Sequence, residues 1–315
     1  MNRKALCILL NAMSQPRTFY ILGAGASYGL VPFTTQMRSS IENEFYQIGI
    51  YPTSPAPLSH LFDRVIGHGN IENDLSDLRH LLLRNIPHGA LELLTQRSLY
   101  RSLSAIMPLQ YAVFQLVGQP STIFSYNLDG LASTYCGAKH CVIEPHGVID
   151  RIWIESPDYE NYLEYVAAYD GTLPYLSPKV LPSPELPGIT GTKSFVYARK
   201  LFVRAPAVII IGYSFAKWNG QYDDWESMEY FVELLRYSPK PIVILSPYPD
   251  ELVDILQQRL SSFNIYGLRI RWESFSAALL KMIGVRIPIK SGLCGKQMDV
   301  LERIYYKECE KGQVS

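Results

Sequence analysis

The sequence lacks an even, regularly spaced set of cysteines. Its 315 residues contain five cysteines in all, at irregular intervals: Cys7, Cys136, Cys141, Cys294 and Cys309. An odd and scattered set argues against a disulfide framework and favours a reducing compartment. We therefore expect a cytoplasmic protein.

The chain also lacks an excess of charge of either sign. It has 29 basic and 29 acidic side chains, so its formal net charge is zero at neutral pH. A protein that follows nucleic acid usually carries a basic surface, so we expect no direct nucleic-acid binding. Hydrophobic residues make up 48% and charged residues 18%, which is typical of a globular protein with a large core.

Long hydrophobic runs are missing as well. No run approaches the about 20 apolar residues that a transmembrane helix needs, so we expect no membrane association. The basic start followed by ALCILL resembles a short signal peptide, but Asn11 interrupts the apolar part and no small-residue cleavage site follows. We interpret residues 1–17 as a helical N-terminal leader.

Six short apolar runs are present, and several are nearly continuous, as in strands that are covered on both faces. Long segments separate these runs, and parallel strands need connections of such length. The sequence therefore predicts an α/β fold with a Rossmann-like, mainly parallel sheet of about six strands. The runs are TFYIL (18–22), TIFSY (122–126), CVIEP (141–145), AVIII (207–211), PIVIL (241–245) and LRIRW (268–272).

The segments between these runs differ in character. Residues 34–118 show helical spacing and are interpreted as a helical insertion, while residues 148–200 are rich in Tyr, Pro and Gly and are interpreted as a small irregular module or lid. We expect one catalytic domain over residues 18–275, followed by a helical tail over residues 276–315.

The first run ends in a glycine-containing turn, Gly23-Ala24-Gly25-Ala26-Ser27. Gly25 would let the backbone approach a diphosphate, and a following helix would offer free N–H groups to that anion. A dehydrogenase fingerprint would have its third glycine where Tyr28 stands, and no acid follows at a strand end about 20 residues on. The pattern therefore favours a nucleotide-binding turn in a protein that is not a dehydrogenase. A simple tight turn without a ligand is the alternative.

Polar residues follow the next two runs. Asn127 and Asp129 lie in SYNLDGL after the second run, although Asn and Asp beside Gly are also common in turns. His146 lies in EPHG after the third run, where an imidazole can move a proton at neutral pH. A structural histidine remains the alternative.

A zinc site is a further alternative near this histidine. Cys136, His140, Cys141 and His146 are close in sequence, but their spacing fits no standard zinc finger or ribbon. We therefore expect no metal.

Later runs are also followed by residues suited to a nucleotide. Gly212 and Ser214 follow the fourth run and would contact phosphate or ribose. The fifth run leads into SPYPDE, which begins at Ser246 and would cover an adenine. Ligands of open parallel sheets bind at the carboxyl ends of the strands, where all of these residues are expected.

The order of these motifs resembles that of the sirtuin superfamily. The family pattern is Gly-Ala-Gly-x-Ser with a downstream Gly-Ile-Pro, then Gln-Asn-Ile-Asp, then His-Gly, then Gly-Thr-Ser. The counterparts here are Gly23 to Ser27 with Leu30-Val31-Pro32, Tyr126-Asn127-Leu128-Asp129, His146-Gly147 and Gly212-Tyr213-Ser214. The likeness spans roughly residues 18 to 275, and the ordered set is more specific than any single motif.

The resemblance implies that the protein binds NAD and breaks its nicotinamide–ribose bond. Asp129 would bind the nicotinamide carboxamide, Asn127 would bind the ribose hydroxyls or a water, and His146 would be the base. The other positions implied to bind the cofactor are Gly23, Ala24, Gly25, Ser27, Pro32, Tyr126, Gly212, Ser214 and Ser246.

Departures from the family pattern narrow the expected activity. Deacylating sirtuins carry two Cys-x-x-Cys pairs after the catalytic histidine, whereas here only Cys294 and Cys309 follow His146. Tyr126 replaces the family's Gln, and Thr34 replaces an Arg. These changes favour a sirtuin-like NAD hydrolase in which water is the nucleophile. Such hydrolases form a bacterial branch of the superfamily, and the segment NIENDLSDLRHLL (70–82) resembles that branch.

In that branch, NAD depletion typically serves anti-phage defence under the control of a sensor. We therefore expect a homo-oligomer, a partner such as a HerA-type ATPase or an Argonaute-like protein, or both. Two alternatives remain open: an NAD-dependent protein deacylase or ADP-ribosyltransferase, and a non-catalytic NAD- or ADP-ribose-binding sensor or scaffold.

Overall fold

A computed structural model describes the chain over a set of ranges. These are residues 2–30, 107–127, 129–145, 189–215, 217–218, 221–222, 224–260, 264–284 and 295–311. Most of the expected helical insertion and of the expected irregular module therefore lies outside the described residues.

The predicted parallel sheet is confirmed. All pairings within its six strands are parallel, and the strands are short, as buried strands of this type are. Their bounds are β1 (Phe19–Leu22), β2 (Thr122–Ser125), β3 (Cys141–Ile143), β4 (Val208–Ile211), β7 (Ile242–Ser246) and β8 (Ile265–Arg269). A separate antiparallel pair consists of β5 (Lys217–Trp218) and β6 (Gln221–Tyr222).

One strand lies elsewhere than expected. The run LRIRW predicted a strand over 268–272, but β8 begins three residues earlier and Trp272 begins a helix. Ile265 pairs with Ile242 and Arg269 with Ser246, so the pairing register with β7 sets these bounds. Tyr266 and Gly267 weaken the apolar pattern that the sequence presents at this point.

The strand order fixes where a ligand can bind. The order is β3-β2-β1-β4-β7-β8, which becomes 3-2-1-4-5-6 if the strands of this sheet alone are counted. Successive strands run outward from β1 in one direction and from β4 in the other, so the switch point lies between β1 and β4. A crevice for a ligand therefore forms at the carboxyl ends of these two strands.

Helices cover both faces of the sheet. Alternate residues of each strand face opposite sides: Tyr20 and Leu22 join one apolar cluster, and Phe19 and Ile21 join the other. The first cluster is covered by α1 (Arg3–Met13), α2 (Leu109–Leu116), α3 (Leu131–Cys136), α7 (Trp272–Gly284) and α8 (Gly295–Lys311). The second is covered by α4 (Lys193–Arg204), α5 (Trp225–Tyr237) and α6 (Asp250–Arg259).

The two chain ends pack more closely on the domain than the sequence suggests. The expected leader, residues 1–17, contains α1, whose Leu6, Leu9 and Met13 are fully buried in the first cluster. The expected tail, residues 276–315, begins inside α7 and continues into α8, which packs on α7 through Leu301 and Tyr305. No helix in the described ranges is long and apolar enough to cross a membrane.

Backbone contact between glycines joins the ends of β1 and β4. The Gly25 N–H donates to the Gly212 carbonyl oxygen at 3.0 Å. A Cβ atom on Gly212 would lie 2.4 Å from the Gly25 backbone, and one on Gly25 would lie 2.7 Å from the Gly212 Cα. Gly212 also has φ +57°, a conformation that side chains disfavour. Only glycine fits at both positions.

We expect Gly212→Ala to lower the free energy of unfolding by about 2–4 kcal/mol, because the methyl group meets backbone in a strained conformation. Urea denaturation of the variant and of the wild type measures the difference. Gly191→Ala is the matched control, since a Cβ there meets nothing within 4 Å. Equal stabilities of the two variants would contradict the close contact.

Candidate functional site

Four buried polar side chains meet beyond the ends of β1 and β2. The Ser27 hydroxyl donates to the Asp129 carboxylate at 2.6 Å and lies 2.7 Å from the Tyr111 hydroxyl. The Asn127 Nδ2 atom donates to the same Ser27 oxygen at 3.0 Å. None of the four residues is more than 7% exposed, so hydrogen bonds replace the water that these groups lose on folding.

The hydrogen-bond directions in this cluster follow from the number of available protons. A serine hydroxyl has one proton and two lone pairs. Its proton goes to Asp129, so its oxygen accepts from Asn127 and from the Tyr111 hydroxyl. Burial, followed by the negative charge of Asp129, raises the pKa of Tyr111 well above its usual value, so Tyr111 keeps the proton that it donates.

Local structure also orients Asp129 and Asn127. The second oxygen of Asp129 accepts from the Leu131 N–H at 2.9 Å, at the start of α3. Gly130 precedes this helix with φ 65°, which allows the sharp turn between the carboxylate and the helix. The Asn127 N–H donates to the Ser125 hydroxyl at 3.3 Å. Asn127 and Asp129 therefore both present their side chains to Ser27 between the end of β2 and the start of α3.

The glycine-containing turn after β1 differs from the expected diphosphate-binding turn with free N–H groups. Residues Ala24–Ser27 form a four-residue 3-10 helix rather than the start of a long one. The N–H groups of Gly23, Gly25 and Ala26 donate to the carbonyl oxygens of Ile211, Gly212 and Gly23, respectively. These three N–H groups therefore already donate to protein acceptors. The Ser27 hydroxyl is engaged by Tyr111, Asn127 and Asp129.

A cavity of about 440 Å³ lies on the other side of the switch point. Segments that follow β1, β4, β7 and β8 line it, and its size is within the range of small-molecule sites. Five of the predicted binding residues line this cavity together: Ala24, Gly25, Gly212, Ser214 and Ser246. Polar and charged side chains in the lining also include Tyr28, Tyr213, Tyr248, Glu251, Arg271 and Glu273.

Two of the charged residues that line the cavity, Arg271 and Glu273, lie at the start of α7. Burial raises the pKa of the Glu273 carboxyl, while its own backbone N–H and the Arg271 charge act in the opposite direction. The Arg271 guanidinium lies over the Tyr28 ring, 6.0 Å from its centroid. The cavity thus combines a half-buried acid with an exposed base near its rim.

Other predicted residues lie apart from the cavity or outside the described ranges. The Tyr126 ring stacks on the Tyr213 ring with centroids 4.2 Å apart, and the Tyr213 hydroxyl donates to Asp224 in the second apolar cluster. Tyr126 is therefore part of the core. Pro32 and His146 lie outside the described residues.

The described histidine, cysteine and acidic residues show no group of three or more placed to hold a metal ion. His140, one candidate for the zinc alternative, lies with its Nε2 atom 2.9 Å from the Phe114 carbonyl oxygen. Cys136 is fully buried in the first apolar cluster.

Sequence reasoning missed three residues of the two sites. Tyr111 lies in a helical segment that gives no sign of a site, and only the packing of α2 brings it to Ser27. Arg271 and Glu273 flank the true start of α7, and the misplaced sixth strand concealed them.

The comparisons with known proteins give a weak likeness. No protein-family model matches the chain, and no curated protein matches its sequence significantly. Among solved structures, Sir2Tm bound to a propionylated peptide matches at 17% identity and TM-score 0.43, over 90% of this chain and 100% of that one. A mutant Sir2 homologue in complex with ADP-ribose matches at 13% identity and TM-score 0.42, over 92% and 100%.

These solved structures belong to the superfamily that the motifs resemble. At TM-scores below 0.5 and these identities, the likeness establishes neither family membership nor an activity.

Ser27 provides a stability test of the buried cluster. Ser27→Ala removes one hydrogen bond from each of three partners, and we expect it to lower the free energy of unfolding by about 1–3 kcal/mol. Ser276 is the matched control: it is equally buried, and its hydroxyl has no partner among the described residues. Ser276→Ala should leave stability unchanged or raise it. Equal losses in urea denaturation would contradict the assigned network.

Proposed function

We propose that the protein is an NAD+ hydrolase that cleaves the nicotinamide–ribose bond and releases nicotinamide and ADP-ribose. The observation that carries this proposal is the pairing of two sites across the switch point of the sheet. Buried Asn127 and Asp129 lie at the ends of β1 and β2, and the cavity lies at the ends of β1, β4, β7 and β8. Open sheets with this strand order bind dinucleotides across this crevice.

The residue types support an assignment of the two halves of the dinucleotide to the two sites. A carboxamide presents both a donor and an acceptor, and the buried Asn127–Ser27–Asp129 cluster offers directed polar partners in a site that excludes water. We place the nicotinamide and its ribose there. The adenosine half then occupies the cavity, whose lining includes the apolar Ile244, Leu245 and Trp272.

The proposed reaction needs few groups. The bond between the ribose carbon and the nicotinamide nitrogen breaks, its electrons leave with neutral nicotinamide, and the ribose carries an oxocarbenium-like charge. Water then adds to that carbon and releases a proton. The Asn127 side-chain oxygen accepts no hydrogen bond from the described residues, so it is available to orient the water or a ribose hydroxyl. His146 is proposed as the base that takes the proton.

The biological role is proposed by resemblance to the bacterial sirtuin-like branch. There the reaction depletes NAD to stop an infected cell, and a partner or self-assembly controls it. A HerA-type ATPase, an Argonaute-like protein or further copies of this chain would supply that control here.

We expect Asn127→Ala to abolish nicotinamide release, because the variant loses the group that orients the nucleophile. The assay follows nicotinamide by chromatography after incubation with NAD, with and without candidate partners. Asn264→Ala is the matched control: it removes an exposed asparagine at the opposite end of the sheet and should retain activity. The same assay of His146→Ala tests the proposed base.

No nicotinamide release by the wild type in any assembly state would contradict the hydrolase. Full activity of Asn127→Ala would contradict the role proposed for Asn127. Release that occurs only with an acylated peptide, together with acyl-ADP-ribose, would indicate a deacylase instead.

A further inference from the structure

Acids outnumber bases in the lining of the cavity. Glu273 is in the first turn of α7, and Glu251 is in the first turn of α6. Arg271 is the one base among the described residues that line the cavity. The lining therefore has an excess of negative charge, although a dinucleotide brings phosphates to the crevice.

Contacts of the two residues that precede Glu273 hold the start of α7 in place. The Arg271 N–H donates to the Tyr305 hydroxyl of α8 at 3.2 Å, and the Trp272 ring N–H donates to the Gln110 carbonyl oxygen of α2 at 3.2 Å. Trp272 itself is only 3% exposed. The Glu273 carboxylate thus projects from a fixed point at the carboxyl end of β8, where it lines the cavity.

We infer that Glu273 selects a dinucleotide whose adenosine ribose has a free 2′-hydroxyl, so that the site takes NAD and rejects NADP. This inference rests on the proposed function, which places the adenosine half in this cavity. A carboxylate accepts hydrogen bonds from ribose hydroxyls, and acids have this role at the strand ends of NAD sites. A 2′-phosphate would instead bring close to two negative charges toward the carboxylate.

Arg271 is the residue that opposes this selection. Arginines accommodate the 2′-phosphate in sites that take NADP. Arg271 is exposed and lies over the Tyr28 ring, whereas Glu273 is half-buried. Solvent and salt screen an exposed charge more than a buried one. The repulsion between Glu273 and a 2′-phosphate therefore outweighs the attraction of Arg271 for that phosphate.

Titration calorimetry of the full chain with ADP-ribose and with ADP-ribose 2′-phosphate tests the selection. We expect the wild type to bind ADP-ribose at least about tenfold more tightly, since like charges at contact distance repel strongly. Glu273→Gln should bring the two affinities to within about threefold by improving the binding of the phosphorylated ligand. Glu233→Gln, an exposed acid of α5 outside the cavity, should keep the wild-type ratio.

Equal affinities in the wild type, or an unchanged ratio in Glu273→Gln, would overturn the inference. Circular dichroism reports whether this variant is folded, and Arg271→Ala provides a second test. Removal of the one base should widen the preference for ADP-ribose, and a narrower preference would also overturn the inference. These measurements need no cleavage, so a protein that binds selectively but releases no nicotinamide would contradict the proposed hydrolase alone.

Discussion

The close approach of two backbone segments, at Gly25 and Gly212, brings the halves of the candidate site together. Each glycine occupies space that a side chain on the other would need, and a 3.0 Å hydrogen bond joins them. The contact closes the gap between β1 and β4, where the strand order reverses. Because it fixes the loops after both strands, it sets the position of Ser27 on one side and of the cavity on the other.

The two sides of this contact have different physical character. On the β2 side, Ser27 has all of its hydrogen-bonding capacity in use, so that its role is to hold Asn127 and Asp129 rather than to contact a ligand. On the β7 and β8 side, the cavity is more open, and its charge comes from residues at the starts of helices. The proposed hydrolase rests on this combination of a hydrogen-bonded polar cluster and a cavity.

Some of the site could be predicted from the sequence because it lies directly after apolar runs. Asn127 and Gly212 follow strands that their composition identifies, and Ser246 ends another. Parallel pairing brings the ends of such strands to one edge. The role of Ser27 could not be predicted in this way. Its partners depend on which helix packs over the turn, and the hydroxyl of Tyr111 reaches it from α2 across 84 positions of sequence.

The sequence by itself determined the fold class, since short apolar runs separated by long connections can be buried only as a parallel sheet between helices. It also identified Asn127 and Asp129 as polar residues that follow a strand. Tertiary structure alone decided the strand order, the start of β8, the incorporation of α1 into the core and the presence of both Arg271 and Glu273 in the lining of the cavity. Each of these depends on contacts between distant segments, which local periodicity does not encode.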